Sequence, residues 1–215
     1  MALSCIIFDC DGIILESVDI KAAAFARICD EVSPAHTAAF TEYVLLHGGV
    51  SRFEKLSWLI RLAFERDITQ EESRIFSGKF AQYCLEAVIA SPLVLGFKDV
   101  VARWHGRIPM YVASGTPQYE LEEILHQKGL DGYFTKIYGS PPSKAALLLN
   151  ALRDCGVAAK QTVMVGDSKT DMDAAVIAGT LFYGRGAYFK DKPWPWGEDL
   201  TRLNEYLERV DAGKE

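Results

Sequence analysis

Four stretches of this sequence set chemistry-bearing side chains directly behind short apolar runs. The first reads Ile6-Ile7-Phe8-Asp9-Cys10-Asp11-Gly12. Two carboxylates separated by one residue at a strand end can divide a group transfer between them. Asp9 can attack phosphorus and offer its second oxygen to a metal, while Asp11 protonates the leaving oxygen and then activates water. Gly12 permits the backbone turn that follows. The second stretch, Val163-Met164-Val165-Gly166-Asp167-Ser168-Lys169-Thr170-Asp171, ends an apolar run in Gly-Asp as a helix begins. Asp167 and Asp171 then share one face of the first turn. The third, Tyr111-Val112-Ala113-Ser114-Gly115-Thr116-Pro117, supplies a hydroxyl and backbone N–H groups suited to phosphate oxygens. The fourth is Lys144, behind Gly139-Ser140-Pro141-Pro142-Ser143. In a first helical turn it opposes the dipole, at a cost of ~0.3–1 kcal/mol, which suggests a carboxylate or phosphate to balance.

Each stretch has a plainer reading: a solvated Asp-x-Asp-Gly turn, N-capping by Asp167 or Ser168, N-capping by Ser114 or Thr116 with Pro117 at the first helical position, and a solvated lysine. Together, three or four acids converging on one sheet edge would repel one another unless a cation binds. Oxygen-rich ligation of that kind suits Mg²⁺.

The elements that must carry these groups are readable from the pattern. Apolar runs at Ser4–Phe8, Met110–Ala113, Thr135–Tyr138, Thr162–Val165 and Leu181–Tyr183 read as strands. Helical patterns at Gln118–Lys128, Ser143–Cys155 and Thr170–Ala178 lie between the later ones. Such alternation predicts an α/β fold, a Rossmann-like three-layer α/β/α core around a parallel sheet, with ligands at the carboxyl ends of its strands. The rhythm breaks over 18–90, where Ile20–Asp30, Ala35–His47, Ser51–Glu65 and Gln70–Ile89 read as helices. The expected organisation is a core of residues 1–17 and 91–215 and a small all-helical domain of residues 18–90. A tail helix is expected near Asp199–Val210, and Trp194 and Trp196 receive no chemical role.

Composition narrows the function classes. The net charge is −6 over 215 residues, without a dense Lys/Arg run, which argues against nucleic-acid and anionic-membrane partners. An anionic substrate then needs a locally positive site. The five cysteines include no C-x-x-C pair, and the four histidines are scattered, against a disulfide scaffold or a zinc site. The N-terminus lacks the basic start and apolar stretch of a signal peptide, and no window spans a membrane. The expectation is a cytoplasmic monomer or homodimer.

In order along the chain, Asp9-x-Asp11-Gly12, Ser114, Lys144 and Gly166-Asp167-x-x-x-Asp171 resemble the four motifs of the haloacid dehalogenase superfamily. The layout is similar to phosphoglycolate phosphatases and β-phosphoglucomutases, and the segment 18–90 resembles their helical C1-type cap. The resemblance implies a Mg²⁺-dependent phosphatase of a small phosphorylated metabolite, working through an aspartyl-phosphate. Asp9 would be the nucleophile and Asp11 the acid/base, with its backbone carbonyl on the metal. Ser114, Gly115, Lys144 and the backbone of Cys10 would bind phosphate. Asp167 would ligate the metal and Asp171 would orient its shell. Phosphomutase, phosphonate C–P hydrolase (with Lys55 as the required amine) and a non-catalytic binding protein are the alternatives. Asp11 argues against dehalogenation. The family's usual Asp-Ser or Asp-Thr pair is Glu16-Ser17 here.

In the helical segment, His47-Gly48-Gly49-Val50-Ser51-Arg52-Phe53-Glu54-Lys55 is the most suggestive run. Arg52 could grip a carboxylate or second phosphate, with Lys55 three residues on near the same face. The plainer reading is a helix start with solvated charges.

Overall fold

The computed structural model describes residues 2–214. Its first strand, β1 (Cys5–Phe8), is buried at all four positions because it lies in the middle of the sheet, where both faces are covered. Phe8 makes edge contacts with Phe97 and Phe134 at 5.8 and 6.3 Å between ring centroids. Burial of each such ring contributes roughly 1.5–3 kcal/mol. Four helices follow: α1 (Val18–Val32), α2 (Thr37–Leu46), α3 (Arg52–Phe64) and α4 (Gln70–Ala90). The chain then alternates through α5 (Phe97–Trp104), β2 (Met110–Pro117), α6 (Gln118–Gln127), β3 (Lys136–Ser140), α7 (Lys144–Cys155), β4 (Thr162–Gly166), α8 (Lys169–Ala178) and β5 (Leu181–Arg185). A two-residue strand β6 (Trp196–Gly197) and helix α9 (Leu203–Asp211) complete it.

All pairings are parallel, in the order β3-β2-β1-β4-β5-β6. The order reverses between β1 and its neighbour β4, so the crevice outside their carboxyl ends is the expected ligand position. Asp9 and Asp167 are the residues that follow those two strands.

The helical group has its own local signals. Ser51 caps α3 by accepting from the Glu54 N–H, and Thr69 with Glu72 forms a full capping box on α4. Phe25 of α1 packs on Phe40 and Phe80, and Tyr43 stacks on Trp58 at 4.0 Å, which ties the four helices together through aromatic contacts.

Several boundaries depart from the sequence expectation. β2 runs through Pro117, so neither Ser114 nor Thr116 caps α6. Pro34–His36 is a 3₁₀ turn, and α2 starts only at Thr37. The tail helix starts at Leu203 because Asp199 holds the preceding turn, accepting from the N–H and hydroxyl of Thr201. Trp196 lies in the short sixth strand, paired with Gly184. α5 went unread in the sequence. It buries Phe97, Val100, Val101 and Trp104, a helical spacing that was there to be found.

Candidate active site

Burial of Asp9 at the end of β1 brings a carboxylate out of water, and the surrounding groups answer it. The Lys144 ammonium donates to Asp9 Oδ1 at 2.7 Å and to the Ala113 carbonyl at 2.9 Å, and lies 2.8 Å from Asp171 Oδ1. The Cys10 N–H also donates to Asp9 Oδ1, at 2.7 Å, while the Cys10 thiol is buried in the core. Burial pushes the Asp9 carboxyl up, against the pull of Lys144 and with the push of Asp171 and Asp11, to about 7. Burial also opposes the charge on Lys144, but Asp171 and Asp9 outweigh it and hold the ammonium's pKa above the ordinary value.

Asp171 is both a first-turn acid of α8 and the second carboxylate on Lys144. Its Oδ2 closes a capping box on α8, accepting from the Ser168 hydroxyl at 2.6 Å and N–H at 3.2 Å, while Oδ1 faces Lys144. Oxygens from Asp9, Asp167 and Asp171 lie within 4.8 Å of one another. Desolvation, reinforced by Asp171 and Asp9, holds Asp167 well above the usual carboxylate range. Three hard oxygen donors that repel one another in a crevice where Asp9 and Asp171 are buried fit a divalent cation of the magnesium type. With both Asp171 oxygens engaged, Asp9 and Asp167 are the donors left open. Gly12, at φ +76°, lets β1 turn beneath them: a Cβ there would come within 2.1 Å of Asp167 Oδ2.

Asp11 sits in a different environment. Burial raises its pKa, but the Lys21 ammonium at 2.6 Å from Oδ2, with hydrogen bonds from Ser17 and Thr116, more than reverses this and holds it below the ordinary range. Lys21 Nζ also donates to Thr116 Oγ1 at 2.7 Å. Two carboxylates two residues apart are thus driven in opposite directions, Asp9 upward by burial and Asp11 downward by Lys21. Ser114 is fully buried, its hydroxyl within hydrogen-bond distance of the Thr116 N–H and Oγ1. Gly115 lines the cleft.

The helical group comes down onto this crevice through Gly48-Gly49-Val50. A Cβ on Gly49 would lie 3.2–3.3 Å from Ser168 Oγ, Asp171 Oδ1 and Lys144 Cε. A Cβ on Gly115 would meet the Gly49 carbonyl oxygen at 2.6 Å. Beneath this loop runs a cleft lined by Asp9, Asp11, Asp167, Arg52, Lys55 and apolar side chains of α1, α2 and α4. Arg52 reaches the cleft wall but turns its guanidinium to Glu120 of α6, 2.6 Å away, and to the carbonyl and hydroxyl of Ser77. Lys55 is buried in the wall. Neither charge is solvated.

Three contributors were missed in the sequence. Lys21 shares its helix face with Ala24 and Phe25 and looks like an ordinary surface lysine. Glu120 reads as a first-turn acid of α6. Arg185, at the end of β5, donates to the Gly12 carbonyl and pairs with both oxygens of Glu16. The Glu16-Ser17 departure thereby acquires a structural account: Glu16 anchors the turn to β5, while Ser17 serves Asp11. A basic residue behind a fifth strand end was the available signal for Arg185.

Among curated proteins, the phosphoglycolate phosphatase of Colwellia psychrerythraea is 25% identical over 92% of this chain and 88% of its own length. The fructose-1-phosphate phosphatase of Escherichia coli is 36% identical over a shorter stretch, 44% of this chain and 51% of that one. Among solved structures, a β-phosphoglucomutase from Clostridium difficile superposes with a TM-score of 0.82 at 17% identity, covering 98% of both chains, a likeness of fold. The model of the haloacid dehalogenase-like hydrolases matches residues 3–179, which include every acid and the lysine of the crevice, and the chain belongs to that family.

Proposed function

We propose that this chain is a magnesium-dependent phosphatase of a small phosphomonoester, with residues 18–90 acting as the cap over its site. The observation that carries the reading is the pairing of opposites at β1: Asp9 held against Lys144 beside two further carboxylates, and Asp11 paired with Lys21. The phosphatase names of the curated relatives support the same class.

Asp9 attacks phosphorus through one carboxylate oxygen. The new O–P bond forms as the bond to the ester oxygen breaks, and Asp11 delivers to the departing oxygen the proton that it took from the attacking water of the preceding turnover. A water then attacks the aspartyl-phosphate, loses its proton to Asp11, and releases inorganic phosphate with Asp9 restored. Lys144 and the N–H groups behind Asp9 and Ser114 neutralise and orient the phosphoryl oxygens, where positioning and charge do most of the work. Asp9, Asp167 and the Asp11 backbone carbonyl would hold Mg²⁺, which supplies charge neutralisation between the carboxylates and the phosphoryl group. Asp171 positions Lys144 and the start of α8. The glycine loop of the cap excludes water and bulky esters.

Phosphate release from p-nitrophenyl phosphate, phosphoglycolate and sugar phosphates tests this, with Mg²⁺, with EDTA and with Asp9→Asn. The expected result is release that needs the metal and disappears with the substitution. Release that survives Asp9→Asn, or none from any ester by folded protein, would sink the proposal.

A further inference from the structure

The cations around the cleft divide unequally. Lys21 is paired with Asp11 at 2.6 Å, Arg52 with Glu120 at 2.6 Å, and Lys169 with Asp173. Lys144, behind the nucleophile, is shared between Asp9 and Asp171. Among the described residues, Lys55 is the cleft-lining cation with no carboxylate at ion-pair distance, although it is only 8% exposed. Its ammonium rests 5.4 Å from the centroid of Phe25, which puts it on the cap wall. Phe25, Phe80, Val44 and Val50 line the cleft around it and offer an anion nothing. Burial draws its pKa down to about 8, only partly offset by the more distant Asp11.

Native proteins rarely bury a charge without a partner, because desolvation is costly. The position argues for a partner that comes and goes. Ser51 caps α3 and Arg52 opens it, so Lys55 stands one turn further along, beside the loop that covers Asp9. Arg52 already commits its two terminal nitrogens, one to Glu120 and one to Ser77, and a turn of the guanidinium toward an incoming anion would leave Glu120 a buried carboxylate alone.

We propose that Lys55 is the specificity-determining residue of this cleft, and that it takes a second anionic group of the substrate, a carboxylate or a phosphate, carried on the part of the ester that faces the cap. The inference rests on the phosphatase reading above for the first anion, the scissile phosphate, held on the core side. Esters with an uncharged tail leave Lys55 without a counter-ion. A buried charge-assisted contact of this kind corresponds to about 10- to 100-fold in preference.

The test is a ratio. kcat/KM is measured with Mg²⁺ for phosphoglycolate against 2-hydroxyethyl phosphate, and for fructose 1,6-bisphosphate against fructose 1-phosphate, in the wild type, Lys55→Met and Lys55→Arg. The wild type is expected to prefer the two-anion member of at least one pair about 10- to 100-fold. Lys55→Met should bring that ratio near one, and Lys55→Arg should keep most of it. The first pair reports a carboxylate and the second a phosphate. Affinities for the same esters, by calorimetry on Asp9→Asn protein with and without Lys55→Met, give the preference without turnover. A binding preference that depends on Lys55 in a protein that hydrolyses nothing would refute the phosphatase and leave this inference standing. A wild-type ratio near one in both pairs, a ratio that survives Lys55→Met, or equal losses for both members of a pair would overturn it; the last would put Lys55 on the scissile phosphate.

Discussion

Replacement of Lys144 by Met separates the electrostatics of the crevice from its packing, since the two side chains are alike in length and shape. Lys144 is 2% exposed at its side chain and lies between Asp9, 3% exposed, and Asp171, fully buried. Removal of one partner from a buried ion pair costs ~3–5 kcal/mol when the other charge stays. For a chain of this size that corresponds to a fall in Tm of roughly 6–20 °C. The carboxylates can escape part of the cost by taking up protons, so the loss must depend on pH. Asp9 is already pushed up to about 7 from 3.8, chiefly by burial. Between those values the native chain holds a proton that the unfolded chain has released, so stability falls as pH rises across the window and levels off above it. Loss of Lys144 moves the native pKa higher and extends the fall. Urea unfolding of the metal-free protein should therefore find Lys144→Met ~3–5 kcal/mol less stable than wild type at pH 8, and closer to it at pH 5. Mg²⁺ should recover part of the loss at pH 8 and little at pH 5. A difference below ~1 kcal/mol, or one that does not change with pH, would refute the reasoning that Lys144 answers charged Asp9 and Asp171.

Three further outcomes follow from the same contacts. Lys21→Met removes the cation that holds Asp11 below its ordinary pKa; the ionised form needed to activate water is then lost at a higher pH, and the acid limb of phosphoenzyme breakdown should move upward in a pH profile of single-turnover decay. Arg52→Leu should cost ~3–5 kcal/mol by leaving Glu120 buried alone, whereas Arg52→Leu with Glu120→Leu should recover most of it, as denaturant unfolding of the double-mutant cycle would reveal. Gly115→Ala places a Cβ 2.6 Å from the Gly49 carbonyl oxygen; it should push the cap loop off the core and cut kcat/KM at least ~10-fold while Tm moves by only a few degrees.

What the sequence disclosed follows the range of the interactions involved. β1 and β4 are continuous apolar runs, and their acids come directly after them, so Asp9, Asp11 and Asp167 were visible from local pattern plus the rule that ligands gather at strand ends. Lys144, just beyond β3, needed only the same rule, and Ser114 follows the apolar run of β2 although the strand itself continues past it. The capping reading of Asp171 holds, since one oxygen serves Ser168, while the contact of the other with Lys144 joins two elements that no local pattern connects. The misread stretches are those where a strand or turn outlasts its apolar run, as β2 does through Ser114-Gly115-Thr116-Pro117.

The pairing of charges is of another kind. Arg52 and Glu120 are 68 residues apart, Lys21 and Thr116 95, and Arg185 and Glu16 169. No periodicity links such partners, and a surface helix would carry each of these residues without remark. Only the approach of α3 and α4 to α6 and β2 decides that Arg52 is spoken for and Lys55 is not. The difference matters because the two residues lie one helical turn apart, and the sequence put Arg52 first as the grip on the substrate, with Lys55 beside it. Geometry breaks the tie: the arginine fastens α3 to α6, and the lysine lines the cleft with no carboxylate at ion-pair distance, which is what makes it the residue to test with anionic esters.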